Sequence, residues 1–185
     1  MLLTRSNPEC LNIPLTNVEK LEIIGDYMLP TIGISTIIIF VNKDILYPRT
    51  LYYVLNGIIL CVPFEFLQPK LGWVSYFKCE TYHLAPVNIM WVVHSCWDSL
   101  ILLIVYFLSS CLFKIKKWNP SIFNISIIMG VLCMVQEIFI ESHETLWYYT
   151  PTTWNPQWAT INGRPMTLQQ WHWIILPYFY LLLNK

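Results

Sequence analysis

The sequence predicts an all-α integral membrane protein: a polytopic transmembrane helical bundle of about five spans that forms one domain over residues 1–185. Hydrophobic residues make up 56% of the 185 residues and charged residues only 12%, about half of the charged fraction of a soluble domain. The mean hydropathy is +0.50, too apolar for a disordered chain. The 11 basic and 11 acidic residues cancel, which excludes a basic nucleic-acid-binding surface.

The predicted spans are five apolar stretches, residues 27–42, 51–68, 87–113, 121–140 and 168–183. About 20 helical residues cross a hydrocarbon core of about 30 Å. The third and fourth stretches reach that length, the first reaches it by starting near Leu21, and the fifth is marginal. Four or six spans are therefore the alternatives. Because lipid satisfies no backbone hydrogen bonds, each span is expected to be a helix.

The basic residues near the span ends predict the orientation. The densest cluster, Lys114, Lys116 and Lys117, lies in a very short loop, and Lys43 and Arg49 fall on the same side. We therefore expect the C-terminus to be cytosolic and the N-terminus to be non-cytosolic. An endomembrane such as the endoplasmic reticulum is expected rather than the plasma membrane.

The six cysteines fit this topology. Four lie within predicted spans, where they are expected to act as small apolar residues. Cys10 and Cys79 both fall on the predicted non-cytosolic side, where a disulfide between them is chemically possible.

Ionisable residues at membrane depth are the most informative feature of the sequence. Charged groups there are costly and usually face the interior of a bundle. Glu65 and Glu137 lie about 5 and 6 Å from the predicted non-cytosolic surface, and His94 and Asp98 about 11 and 17 Å from it. Three predicted spans thus contribute polar groups to one half of the bilayer, and we expect Glu65, His94, Asp98 and Glu137 to be catalytic.

Two helix faces follow from the spacing of these residues. His94 and Asp98 are four residues apart on one face, which predicts an imidazole oriented by a carboxylate. Glu137, Glu141 and Glu144 also share a face, and the last two are expected to be interfacial and solvated. The alternative is that such groups only bind one another and fix the packing of the helices.

The segment over residues 142–168 is long, aromatic and punctuated by prolines, and its Asn162-Gly163 pair predicts a tight turn. One interpretation is an aromatic belt at the headgroup level. The other is a lid over the polar cluster that shapes an apolar pocket for a ring-bearing or isoprenoid substrate. The second interpretation predicts a set of substrate-binding aromatic residues: Trp91, Trp97, Trp147, Tyr148 and Trp171.

These residues favour an intramembrane acid–base enzyme of the isomerase or cyclase type that acts on a hydrophobic lipid or isoprenoid. Glu65 or Glu137 would donate a proton and the His94–Asp98 pair would take one back, while tryptophan faces stabilise a carbocation. The alternatives are a non-catalytic membrane adaptor or assembly protein, and a small transporter or proton-relay subunit. An inverted repeat, common in transporters, is not visible.

We expect no cofactor and no metal. A single deep histidine does not suit the histidine-rich clusters of membrane di-iron sites, and glycine-rich phosphate loops and serine-hydrolase motifs are absent from the sequence. The expected partners are the lipid bilayer and a hydrophobic small molecule, without nucleic acid. The sequence indicates no oligomeric state.

Overall fold

The computed structural model describes residues 11–78, 87–117 and 121–185, and in the second range the side chains from Val92 onward. It is mostly helical, with 70% of residues in helices. The first four helices of this described part are long and apolar enough to cross a membrane, which indicates an integral membrane protein. The helices are α1 Asn17–Asn42, α2 Arg49–Leu71, α3 Val87–Lys116, α4 Ile122–His143 and α5 His172–Leu183.

The fifth predicted span is shorter than expected. It consists of a 3-10 turn, Leu168–Trp171, and the 12 residues of α5, which rise about 18 Å. This is less than a membrane crossing needs, so length and composition support four of the five predicted spans.

Helix α5 nevertheless runs beside most of α2. The His172 ring at its start stacks on Phe64 with 5.1 Å between ring centroids. At its other end the Arg49 guanidinium donates a hydrogen bond to the Asn184 carbonyl at 2.7 Å. Phe64 lies seven residues before Leu71, the last residue of α2, so α5 begins about 10 Å below that end. The chain that leads to α5 therefore runs about 10 Å from the level of that end of α2 toward the opposite end of the bundle.

Helix α1 begins ten residues before the predicted start at Tyr27. Its first turn is fixed by a capping box in which the Thr16 hydroxyl accepts from the Glu19 amide and the Glu19 carboxylate accepts from the Thr16 amide. The same carboxylate binds the Lys78 ammonium at 2.6 Å. The polar first turns thus lengthen α1, and Asp26 of this helix lines the cavity described below.

Small residues set the distances between the helices. Helix α3 packs against α1, α2 and α4, and α5 packs mainly against α4. The Ser99 hydroxyl of α3 donates to the Val54 carbonyl of α2 at 2.6 Å, beside Gly57. On α4, a Cβ built at Gly130 would lie 2.9 Å from the Ile174 carbonyl oxygen of α5. Larger residues at either glycine would push two backbones apart.

The main hydrophobic core lies in the half of the bundle that contains the end of α5. It is contributed by α2, α3, α4 and α5 and contains nine buried residues: Cys61, Leu102, Val105, Met129, Cys133, Trp173, Leu176, Tyr180 and Leu181. Cys61 and Cys133 are free thiols, as the sequence predicts for span residues. Cys10 and Cys79, with the predicted disulfide, lie outside the described residues.

Two small sheets add to the predicted all-α architecture. β1 Val74–Tyr76, after α2, pairs antiparallel with β2 Trp147–Tyr149, after α4. β3 Gln157–Ile161 pairs antiparallel with β4 Arg164–Thr167, around the predicted Asn162-Gly163 turn, where both residues have positive φ. The aromatic segment is therefore folded rather than unpaired. The β1–β2 pairing joins segments about 70 residues apart, so no local pattern indicates it.

We expect Gly130→Ala to lower the free energy of unfolding by roughly 1–3 kcal/mol, because the new methyl group meets the α5 backbone, which cannot rotate away. The measurement is the thermal unfolding midpoint of the detergent-solubilised protein. Gly25→Ala in α1 is the matched control. A Cβ there has no neighbouring atom within 4 Å, and alanine favours a helix over glycine by up to about 1 kcal/mol. Equal midpoints for the two variants would contradict the close α4–α5 contact.

Candidate functional site

A cavity of about 400 Å³ lies at the end of the bundle where α2 and α4 terminate. Helices α1 to α5 form its walls, and strands β1 and β2 contribute Val74, Tyr76, Trp147 and Tyr149 as a roof. We call these two paired strands the lid. The remaining lining residues are Asp26, Glu65, Gln68, Pro69, His94, Trp97, Asp98, Ile101, Gln136, Glu137, Ile140, Glu144, His172 and Trp173.

All four residues predicted to be catalytic line this cavity: Glu65 from α2, His94 and Asp98 from α3, and Glu137 from α4. The structure therefore brings together the residues that the sequence selected. Their catalytic role stays a prediction.

The predicted substrate-binding aromatic residues divide into three groups. Trp97 and Trp147 line the cavity. Tyr148 points to the other face of β2 and packs its ring on Phe77 at 4.7 Å between centroids, and Trp171 is exposed on the outside of the bundle. The side chain of Trp91 lies outside the described residues. Tyr148 misses the cavity because side chains alternate along a strand, a register that the sequence did not indicate.

The partner of His94 differs from the predicted one. Its Nδ1 lies 3.5 Å from Oε2 of Glu65 on the neighbouring helix, and the other oxygen of Glu65 accepts a hydrogen bond from the Gln68 amide at 3.2 Å. The predicted pairing of His94 with Asp98 is not the contact found. The close packing of α2 on α3 offers the imidazole a carboxylate from another helix, which spacing along one helix cannot reveal.

Glu137 is held by the lid. The Tyr149 hydroxyl donates to Oε1 of Glu137 at 2.6 Å, and the Tyr149 amide donates to Oε1 of Glu141 at 3.2 Å. Burial raises the pKa of Tyr149, which keeps the hydroxyl proton available for donation. One lid residue thus joins two carboxyls on successive turns of α4.

Glu144 continues this arrangement at the end of α4. Its Oε1 accepts from the amides of Thr145 and Leu146, both at 2.9 Å. Burial raises the pKa of Glu144 to about 7, although the bond from Leu146 offsets part of the rise. Glu141 is fully buried and Glu144 lines the cavity, so the expectation that both are solvated at the interface is wrong. The folded lid covers them.

Two aspartates face the cavity without such support. Among the described residues, no donor hydrogen-bonds the carboxyl of Asp98 on α3 or of Asp26 on α1; their neighbours act only through charge. A buried carboxyl without a donor is costly unless it is neutral or meets a ligand. The two aspartates are therefore the carboxyls of this site that are free to bind or react.

The floor of the cavity is apolar. Cys61, Leu102 and Cys133 of the hydrophobic core each lie one helical turn beyond Glu65, Asp98 and Glu137, respectively.

No lysine or arginine occurs among the described lining residues. No group of three or more potential metal ligands is arranged to hold a metal ion in the described part of the chain.

Several lining residues were not selected from the sequence as site residues, chiefly Asp26, Tyr149, His172, Tyr76 and the amides Gln68 and Gln136. A signal existed for some of them. Gln68 is three residues from Glu65, and Gln136 precedes Glu137. For Tyr76 and Tyr149 the signal was absent, because their position depends on the pairing of β1 with β2.

Comparison with known proteins adds no assignment. No protein-family model, curated protein or solved structure matches this chain.

We expect Tyr149→Phe to lower the free energy of unfolding by about 1–3 kcal/mol, because Glu137 loses its donor while the ring still fills the roof. Chemical denaturation of the solubilised protein measures this loss. Tyr148→Phe is the matched control, since its ring packs on Phe77, and a change within about 0.5 kcal/mol is expected. A Tyr149 variant as stable as the control would exclude a stabilising hydrogen bond between the Tyr149 hydroxyl and Glu137.

We expect the stability of the protein to fall as the pH rises from about 5 to 8. The folded state holds the Glu144 proton more tightly than the unfolded chain, whose ordinary pKa is 4.5. The stability from this group is therefore fully present below that value and lost as the pH passes about 7, a loss on the order of 3 kcal/mol.

Glu144→Gln keeps an oxygen acceptor for both amides and removes the titration, so its unfolding midpoint should vary less with pH. Asp44→Asn, in the exposed loop at the other end of the bundle, is the control and should leave the pH profile of the wild type unchanged. The same profile in all three proteins would argue against a buried Glu144.

Proposed function

We propose that this protein is an intramembrane acid–base enzyme that shifts a double bond in, or cyclises, a small hydrophobic molecule such as an isoprenoid. The observation that carries the proposal is the placement of Glu65, His94, Asp98 and Glu137, from three separate helices, around one cavity under a folded lid. A cavity with several carboxyls of different surroundings is the usual basis for separating a proton donor from a proton acceptor.

The size of the cavity limits the substrate. A volume of about 400 Å³ lies toward the lower end of the range of small-molecule sites, about 300–1,000 Å³. This supports a short isoprenoid, or one end of a longer lipid whose remainder lies outside the cavity. The rings of Trp97, Trp147 and Trp173 supply an apolar wall that also stabilises positive charge.

The hydrogen bonds favour particular roles. Asp98 is the proton donor, because a buried carboxyl that accepts no hydrogen bond among the described residues is favoured in its neutral form. Glu137 is the acceptor, because the Tyr149 hydroxyl donates to its Oε1 and stabilises the carboxylate, while Oε2 remains for the substrate. The Glu65–His94 pair lies between α2 and α3 and positions the substrate or holds a second proton.

The reaction balances without a cofactor. The proton of Asp98 adds to one carbon of a double bond, whose π electrons form the new C–H bond and leave a carbocation at the other carbon. Glu137 removes a proton from the next carbon on the far side of the cation, and the electrons of that C–H bond form the new double bond. The proton then returns from Glu137 to Asp98, so no oxidant or reductant is consumed.

Transport is less well supported. A proton path across the membrane needs polar groups in both halves, and the apolar core begins one turn beyond Glu65, Asp98 and Glu137. An adaptor role does not require a cavity lined by five carboxyls and two histidines.

The basic residues favour one orientation. Lys43, Arg49, Lys114 and Lys116 lie at the end of the bundle opposite the cavity, near the end of α5. The positive-inside rule therefore supports a cytosolic C-terminus and a cavity in the non-cytosolic half of the membrane, which we propose to be an endomembrane such as the endoplasmic reticulum.

The test is proton exchange into lipid. Purified protein in nanodiscs is incubated with a total nonpolar lipid extract in D₂O, and products are read by mass spectrometry. The wild type should add one deuterium to a specific subset of molecules, because cavity carboxyls exchange with solvent. Asp98→Asn and Glu137→Gln should each lower the rate at least about a hundredfold.

Asp44→Asn is the control with an equivalent change of charge far from the cavity, and it should retain the wild-type rate. The thermal unfolding midpoint of each variant shows that a lost rate is not a lost fold. Deuterium incorporation that survives both cavity substitutions, or none in the wild type with any lipid extract, would leave the non-catalytic adaptor as the better account.

A further inference from the structure

The segment over residues 150–171 descends along the outside of the bundle. At the turn of the β3–β4 hairpin, the Arg164 guanidinium donates to the Glu144 carbonyl at the end of α4. At the open end of the hairpin, which is the lower end, the Leu168 amide donates to the Pro156 carbonyl at 2.9 Å, beside the turn that starts α5. α5 starts about 10 Å below the end of α2, and the four residues of the 3-10 turn before it rise at most about 8 Å, so this lower end of the β3–β4 hairpin lies between the end of α2 and the start of α5.

Three exposed indole rings lie in the hairpin or directly before and after it. Trp154, Trp158 and Trp171 have relative exposures of 84%, 42% and 47%, and the rings of the last two lie 5.9 Å apart. The Trp158 Nε1–H donates to the Thr167 carbonyl at 2.9 Å, so the polar edge of that ring is satisfied by the protein. We call these three residues the indole patch.

The indole patch continues an apolar surface of α5. Trp171, Ile175 and Phe179 follow one another at intervals of four residues, and all three are exposed. Residues at this spacing share one helix face. On a helix that runs beside the spans, such a face is the one turned toward lipid.

The backbone of the descending segment is satisfied within the protein. Asn155, which is 1% exposed, accepts from the Gln169 amide at 2.7 Å and donates to the Thr150 carbonyl at 3.3 Å. Its own amide donates to the Thr152 hydroxyl at 3.0 Å. Non-helical backbone tolerates membrane depth only when its polar groups find partners in the protein, and here a buried asparagine supplies them.

We propose that the indole patch is a lipid-binding surface, and that the lower end of the β3–β4 hairpin is a re-entrant anchor. It inserts among the upper acyl chains of the leaflet that holds the cavity. The partner is the boundary between headgroups and acyl chains, where tryptophan is preferred. This proposal is independent of catalysis. It assigns the outer face of the aromatic segment to lipid and its inner strand, β2, to the roof of the cavity.

The test uses lipids that quench tryptophan fluorescence at a known depth. The protein is placed in nanodiscs of phosphatidylcholine brominated either near the carbonyl end or near the methyl end of its acyl chains. A variant with Trp154→Phe, Trp158→Phe and Trp171→Phe is compared with a control variant carrying Trp97→Phe and Trp147→Phe in the cavity. Phenylalanine keeps an apolar ring at every position.

Lipid brominated near the carbonyl end should quench the wild type more than lipid brominated near the methyl end. The patch variant should lose about half or more of that quenching, and the control variant little of it. Equal quenching of the patch variant and the wild type would overturn the proposal.

A second measurement compares the wild type with the patch variant. Iodide in the aqueous phase should quench the two proteins to the same extent in nanodiscs, although Trp154 is the most exposed of the three indoles. Iodide quenching that the patch variant loses would place the patch in water and overturn the proposal. Neither result depends on deuterium incorporation, so failure of the enzyme proposal and failure of this one are distinguishable.

Discussion

The hydrogen bond from Tyr149 to Glu137 connects the two parts of this protein, an apolar helical bundle and a small lid of paired strands. Without it no side chain of the lid would bond to a carboxyl of α4 among the described residues, and Glu137 would lose the hydroxyl that donates to its Oε1. The Tyr149 amide and the amides after α4 extend the connection to Glu141 and Glu144. The lid therefore rests on the acidic face of α4, and that face is buried because the lid is there.

The descent of the chain before α5 is a second constraint. A helix of 12 residues reaches from the cavity to the far end of α2 only because its first residue, His172, already lies about 10 Å below the end of that helix. The buried Asn155 bonds to the irregular backbone that leads to it. One feature thus accounts for the short last helix, for His172 in the cavity wall and for tryptophans on the outer surface.

The site shows how packing between helices overrides spacing within a helix. His94 and Asp98 share a face, and a pairing between them is the natural expectation from the sequence. The contact between α2 and α3 is so close that Glu65, and not Asp98, is the carboxylate beside the imidazole of His94. Asp98 is then left facing the cavity without a donor among the described residues, which changes its proposed role from partner of a base to proton donor.

The sequence alone determined the helices and the depth of the ionisable groups, because hydrophobic length and distance from a span end are local quantities. Four spans and the convergence of Glu65, His94, Asp98 and Glu137 on one end of the bundle follow from them. Only the tertiary structure decided which groups touch and what encloses them. The pairing of β1 with β2 joins segments about 70 residues apart, and it alone brings Tyr149 to Glu137 and covers Glu141 and Glu144. Long-range pairing leaves no periodic trace in a sequence, so no local pattern gives the contacts of the cavity.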